Sequence, residues 1–171
     1  MGYAVKLQPQ VAQIYNGDKV NVALTGSNTG TFVFSVCYVA KDEVCLLSDT
    51  SMGTANWSTA CAKSWGWSCK IRGKQYSSSD SGQSVAKIPT LEEVCKKGGI
   101  YISWLYNYRG YAGSAAFWTS SQSYPPYGYW VGLLSDLGTN TNGWTIVTGY
   151  STLWSGQDKA RYICPFISVI L

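Results

Sequence analysis

Six cysteines, at positions 37, 45, 61, 69, 95 and 164, are the residues of this chain best equipped for chemistry, and no histidine accompanies them. A thiolate can attack, ligate a metal or oxidise to a disulfide. No two cysteines are spaced C-x-x-C, and no His is present to complete a mixed site, which argues against structural zinc. The missing His also removes the commonest member of hydrolase triads and general-base designs. An even cysteine count in a chain rich in Tyr, Ser and Gly favours disulfides, and disulfides require an oxidising compartment. The first residues, MGYAVKLQPQ, contain no apolar signal core. Export is therefore expected as part of a longer secreted protein, the alternative being a cytosolic protein with six thiols. Six cysteines admit about fifteen pairings. Cys37 and Cys45 flank YVAKDEV, whose KDE centre is turn-like, so a Cys37–Cys45 bridge between neighbouring strands is expected.

Composition narrows the function classes further. The 171 residues suit one domain, or one domain with a small appendage. Charged residues reach only 13% and aromatics 15%, with eight Trp and thirteen Tyr. The surface must then be Ser, Thr, Gly, Asn and Tyr rather than Lys and Glu. Disorder is excluded by the aromatics and the low charge. No apolar run approaches the roughly 18 residues of a membrane helix, so no direct membrane insertion is expected. The net charge of +4 is modest and its only cluster is Lys70, Arg72 and Lys74, so nucleic acid is not an expected partner. That basic run reads as a solvated loop.

The elements that must carry these residues follow from periodicity. Residues 3–47 read as short alternating or apolar strands (YAVKL, KVNVALT, TFVFSVCYVA, EVCLL) separated by the turn signals NGD and GSNTG. In GTANWSTACAKSWG, Trp57, Ala60, Cys61, Ser64 and Trp65 recur at helical spacing, with Thr54 as N-cap and Gly66 as the stop. A second helix opens at PTLEE, where Thr90 and Glu93 make a capping box, Leu91 and Val94 supply the apolar face and Gly98-Gly99 end it. FWTSS, YWVGLL, GWTIVTGY and RYICPFISVIL are strands again. Strands, two helices, then strands predict an α+β fold with an antiparallel sheet. Residues 1–50 are expected to be N-terminal strands, either of the same domain or left from a preceding module, and 51–171 the main domain.

Four sequence words in this order carry a family resemblance. Trp57, Ala60 and Cys61 resemble a W-x-x-A-x-x-x-C helix, slightly compressed. KIPTLEEV resembles an R-L-P-T-x-E-E element, FWTSS with YWVGLLSDLG resembles a W-T-S-S and Y-x-V-x-L pair, and RYICPF resembles a final R-Y-x-x-C-V strand. Together they resemble a C-type-lectin-like domain over residues 54–166, of the sort found at the tips of bacterial intimin- and invasin-type adhesins. The resemblance implies a bridge from the first helix to the last strand, Cys61–Cys164, which leaves Cys69–Cys95. The swapped pairing, Cys61–Cys69 with Cys95–Cys164, stays open. Calcium-dependent sugar binding in the family needs several acidic ligands, and only Asp136 and Asp158 follow residue 100. The family's formylglycine-generating enzymes need a paired-cysteine site near the C-terminus, and only Cys164 lies near it. No metal, no cofactor and no catalysis are expected.

Aromatic residues in loops remain as binding candidates. Tyr101, Trp104, Tyr106, Tyr108 and Tyr111 fall close together, with Arg109 the one charge among them. Tyr124, Tyr127 and Tyr129 bracket Pro125-Pro126, and Trp144, Tyr150 and Trp154 lie on or beside late loops. Rings with polar tips bury much area at low entropic cost and dominate recognition surfaces. The candidate ligand-binding set is Trp104, Tyr106, Tyr108, Tyr111, Tyr124, Tyr127 and Trp154. Trp118, Trp130 and Trp144 are assigned to the core by strand alternation, and Arg161 to a structural anchor. The sequon Asn56-Trp57-Ser58 falls inside the expected helix and is set aside. The expected protein is thus a non-catalytic adhesin module at the bacterial cell surface. It would bind a host-cell surface protein or glycan through tyrosine-rich loops without calcium. A phage-fibre tip or minor pilin, with the aromatic surface as an oligomer interface, is the alternative.

Overall fold

Alternation of apolar and polar residues decides most of this architecture. In a computed structural model, residues 13–95, 117–122, 127–133, 145–147 and 150–171 are described. β1 (Lys19–Gly26) buries Val20, Val22 and Leu24 and exposes the residues between them. β2 (Gly30–Val39) and β3 (Glu43–Ser48) follow as a hairpin whose turn closes when the Ala40 N–H donates to the Glu43 carbonyl at 2.8 Å. Next come β4 (Thr54–Ala55), α1 (Trp57–Ala62), β5 (Trp65–Ile71) and β6 (Lys74–Ser77). α2 (Leu91–Cys95) precedes β7 (Phe117–Gln122), β8 (Tyr127–Leu133), β9 (Thr145–Val147) and β10 (Tyr150–Gly156), and β11 (Arg161–Tyr162) and β12 (Phe166–Ile170) end the chain.

Two six-stranded sheets result, ordered β12-β3-β2-β1-β5-β6 and β4-β11-β7-β8-β10-β9. Neighbours are antiparallel except β7 and β11, which meet in parallel at Phe117 and Tyr162. Strands from both sides of residue 50 share the first sheet. That sheet is curled, and two adjacent residues tie its edge strand β12 to β5. Ala86 exchanges backbone hydrogen bonds with Trp65 of β5, at 3.0 and 2.8 Å, while the Lys87 carbonyl accepts from Phe166 of β12 at 2.8 Å. We call the line between residues 83–87 and β12 the seam.

One apolar cluster runs from the inner face of the curled sheet (Val22, Phe34, Val36, Leu46, Ile167) to Ala60, Trp118 and Ile163 beside the second sheet. Tryptophans are its large pieces, and each described indole N–H finds an acceptor. Trp65 donates to Asn28 Oδ1 at 3.0 Å, Trp67 to the Ser84 carbonyl at 2.8 Å, Trp118 to the Ala55 carbonyl at 2.8 Å and Trp57 to the Thr119 carbonyl at 3.0 Å. A buried indole N–H left unpaired would forfeit roughly 1–3 kcal/mol, so these four bonds fix where the rings can sit.

The expected α+β, C-type-lectin-like architecture is overturned: the described residues are mostly β, 52% strand against 9% helix, with a curled antiparallel sheet. The first helix was expected to run from Thr54 to Gly66. It is six residues long and its N-cap is Asn56, whose Oδ1 accepts from the Thr59 N–H at 2.9 Å. It stops at Ala62 because Trp65, Trp67, Cys69 and Ile71 alternate at period two and are buried, which only a strand allows. The capping box of α2 forms as expected: Thr90 N–H donates to Glu93 Oε1 and Glu93 N–H to Thr90 Oγ1, both at 2.9 Å. Asn56 of the sequon thus caps a helix rather than lying inside one.

The expected bridges also fail, since no disulfide joins the described cysteines. For Cys37–Cys45 the reason is a register shift between Val36 and Tyr38 that sets Tyr38, not Cys37, opposite Cys45. The Cys45 thiol donates instead to Glu43 Oε1 at 3.2 Å. Cys61–Cys164 was expected to join the first helix to the last strand. Cys164 falls instead in the link that carries the chain from β11 into β12 of the other sheet. In the Cys69–Cys95 pair, Cys69 is inside β5 and packs into the core, and the Cys95 side chain lies outside the described residues.

Candidate functional site

Of the seven expected ligand-binding residues, Trp104, Tyr106, Tyr108, Tyr111 and Tyr124 lie outside the described residues. Tyr127 begins β8 and Trp154 lies in β10. The register of this pair sets Trp154 opposite Tyr129 and Tyr127 opposite Gly156. The Tyr127 and Trp154 positions are thus diagonal neighbours across one antiparallel pair, a backbone spacing of about 7–8 Å. The strand ends sort the remaining candidates. Residues 96–116, which carry four of them, lead into β7 at Phe117, and Phe117 is registered with Val131 near the end of β8. Residues 123–126, with Tyr124, fall between β7 and β8 in the chain. Trp118, assigned to the core from sequence, is fully buried there.

Gly128 shows how closely this sheet is held. The Trp57 indole of α1 lies over it, and a Cβ built at Gly128 would stand 2.6 Å from a ring carbon. Real Cβ atoms do not come so near, so the site requires glycine while the ring stays where its bond to Thr119 holds it.

One constellation has the look of catalytic machinery. Lys19 Nζ donates to Ser35 Oγ at 2.7 Å and pairs with Asp49 Oδ2 at 2.7 Å, while Ser35 Oγ donates to Asp49 Oδ1. A Lys beside a Ser can serve as its base, but only when the hydroxyl meets substrate. Ser35 is 0% exposed, and both partners of its hydroxyl are already engaged with one another. This cluster fastens β1, β2 and the Asp49 turn rather than presenting a nucleophile. Burial likewise quiets two thiols: it raises the Cys61 pKa, and pushes that of Cys69 up from 9.0 to about 11. Among the described residues no group of three or more His, Cys, Asp or Glu side chains could hold a metal ion. No described helix is long and apolar enough to cross a membrane.

Among the described residues, cavities open on the first sheet at two places. A groove of about 460 Å³ crosses the outer face of β1, β2, β5 and β6, lined by Lys19, Asn21, Thr31, Ser68, Lys70 and Gln75. Lys70 and Lys74, expected in a solvated loop, are strand residues here. The tight turn between them holds Arg72 and Gly73 at φ +52° and +77°. Such left-handed turns match strand twist and favour glycine at the second position. The Lys74 ammonium lies 5.1 Å from the Tyr76 ring centre. A second cavity, of about 340 Å³, sits at the seam between Val85, Lys87 and Phe166. Sequence reasoning missed both, because their linings come from strands far apart in the chain and no local spacing marks them. Comparison with protein-family models, curated proteins and solved structures returns no match for this chain.

Proposed function

We propose that the chain is a non-catalytic recognition module that binds a host-cell surface protein or glycan through aromatic residues of its second sheet, in the manner of a bacterial adhesin. The observation that carries this reading is the β8–β10 register, which gathers the Tyr127, Tyr129 and Trp154 positions within one strand pair. Aromatic rings with polar tips offer large contact area for little ordering cost and stack on the apolar faces of sugars. A frame of buried, hydrogen-bonded tryptophans suits such a surface, because a rigid scaffold lowers the entropy lost on binding.

The test is a glycan array and host-cell binding with the whole chain, each run with and without a chelator. Binding should survive chelation, and Tyr127→Ala or Trp154→Ala should weaken it by about tenfold or more, the loss expected of a hot-spot aromatic. Circular dichroism and thermal melting must show both variants folded. Unchanged affinity in folded Trp154→Ala and Tyr127→Ala proteins overturns the site, and chelator-sensitive binding overturns the metal-free reading.

A further inference from the structure

The seam closes the curled sheet incompletely, and the gap has a defined hydrogen-bonding pattern. β12 turns its odd-numbered residues toward β3: the Pro165 carbonyl accepts from Ser48 N–H, and Leu171 N–H donates to the Asp42 carbonyl. Its even-numbered residues therefore turn their main-chain groups to the seam, as antiparallel pairing alternates. Phe166 N–H is taken by the Lys87 carbonyl. Ile170 is taken at both groups by one side chain, its N–H donating to Gln83 Oε1 at 3.0 Å and its carbonyl accepting from Gln83 Nε2 at 2.6 Å. Ser168 lies between the two fastenings. Continuing the Lys87–Phe166 register places Val85 across from it, and among the described residues no backbone bond crosses the seam at this step. The Ser168 hydroxyl is turned away to Glu43 Oε1, at 2.8 Å. Here the cavity of about 340 Å³ opens, lined by Val85, Ile88, Phe166 and Ile170 with Lys87 and Glu93. Val85 and Ile170 are 49% and 45% exposed, which is high for aliphatic side chains.

We propose that this seam cavity is a binding site for a carboxamide, such as an Asn or Gln side chain or a terminal amide of a ligand. The amide pairs with the N–H and C=O of Ser168 as the Gln83 amide pairs with Ile170. The chemistry selects the group. The strand step offers one donor and one acceptor about a peptide's width apart. A carboxylate would set a lone pair against the Ser168 carbonyl. An ammonium or guanidinium has no acceptor for the N–H, and a hydroxyl cannot span both groups. The aliphatic stem of the ligand lies on Val85 and Ile170. A volume of this size and a mainly apolar lining with a few fixed polar groups are what small-molecule sites have. Because the seam is fastened on both sides of Ser168, an extended peptide cannot run along it, and a side-chain-sized group can enter.

The test compares two ligands of nearly one shape, propionamide and propionate, in an NMR titration of the ¹⁵N-labelled chain. Propionamide should shift the Ser168, Val85 and Ile170 amides saturably, and propionate should need at least tenfold more ligand for the same change. Val85→Trp, which fills the cavity, should abolish the propionamide shifts while signals from β1 and β2 stay in place. Absence of saturable shifts at Ser168, or equal response to both ligands, overturns the proposal. So does binding unchanged in folded Val85→Trp protein. Should that variant not fold, the amide–carboxylate comparison decides alone.

Discussion

Cys69 illustrates how position, not residue type, sets chemistry in this protein. As one of six thiols in the sequence it was a candidate for a bridge. In β5 it faces the core, and burial pushes its pKa up to about 11 from an ordinary 9.0. The native state therefore favours the neutral thiol more than the unfolded state does. Below about pH 9 both states hold the proton and this contribution is fully present. As pH rises from about 9 through 11 the unfolded chain releases its proton first, so stability is lost over that window, by roughly 1–2 kcal/mol. Tyrosines and lysines titrate nearby, so the quantity to measure is the difference in urea midpoint between wild type and Cys69→Ala at pH 8 and pH 11. Wild type should lose more. A difference that does not change with pH would mean the thiol is not held neutral. The same lesson holds for Ser35, whose neighbours Lys19 and Asp49 would suit a nucleophile but whose complete burial makes the trio a clasp.

At the scale of elements, α1 and the second sheet are joined at one contact that a single methyl group would disrupt. Gly128→Ala places a carbon 2.6 Å from the Trp57 ring, and the indole cannot retreat without losing its bond to the Thr119 carbonyl. We expect a destabilisation of about 1–3 kcal/mol, the usual cost of overpacking, read as a lowered thermal midpoint. An unchanged midpoint would show that the ring is free to move. Sequence made some of these elements legible and hid others. β1 announces itself through alternation, β2 and β3 through short apolar runs between turn residues, and α2 through Thr90 and Glu93, because those signals are local. β5 was concealed because Trp57, Ala60, Cys61, Ser64 and Trp65 fit a helical period as well as Trp65, Trp67, Cys69 and Ile71 fit a strand. Only the partners, β1 on one side and β6 on the other, break that tie.

At the scale of the whole molecule, packing and hydrogen-bonded seams hold the described residues together, and no disulfide joins their cysteines. One cluster spans both sheets, and Ala86 with Lys87 fastens the curled sheet to itself. Dithiothreitol should accordingly leave the thermal midpoint unchanged, and thiol titration after unfolding without reductant should count six cysteines. A midpoint lowered by more than about 5 °C, with fewer thiols titrated, would show that a bridge contributes. By itself the sequence determined most strand positions, the α2 cap, the scarcity of surface charge and the absence of histidine, since each is a property of a residue or its near neighbours. It also singled out Tyr127 and Trp154 as aromatic candidates. Tertiary structure alone decided the β-rich architecture, the failure of the expected cysteine bridges, the diagonal pairing of those two aromatic positions and the seam opposite Ser168. These depend on which strands meet and in what register, and residues as distant as Gln83 and Ile170 carry no mark in the chain of the bond they will make.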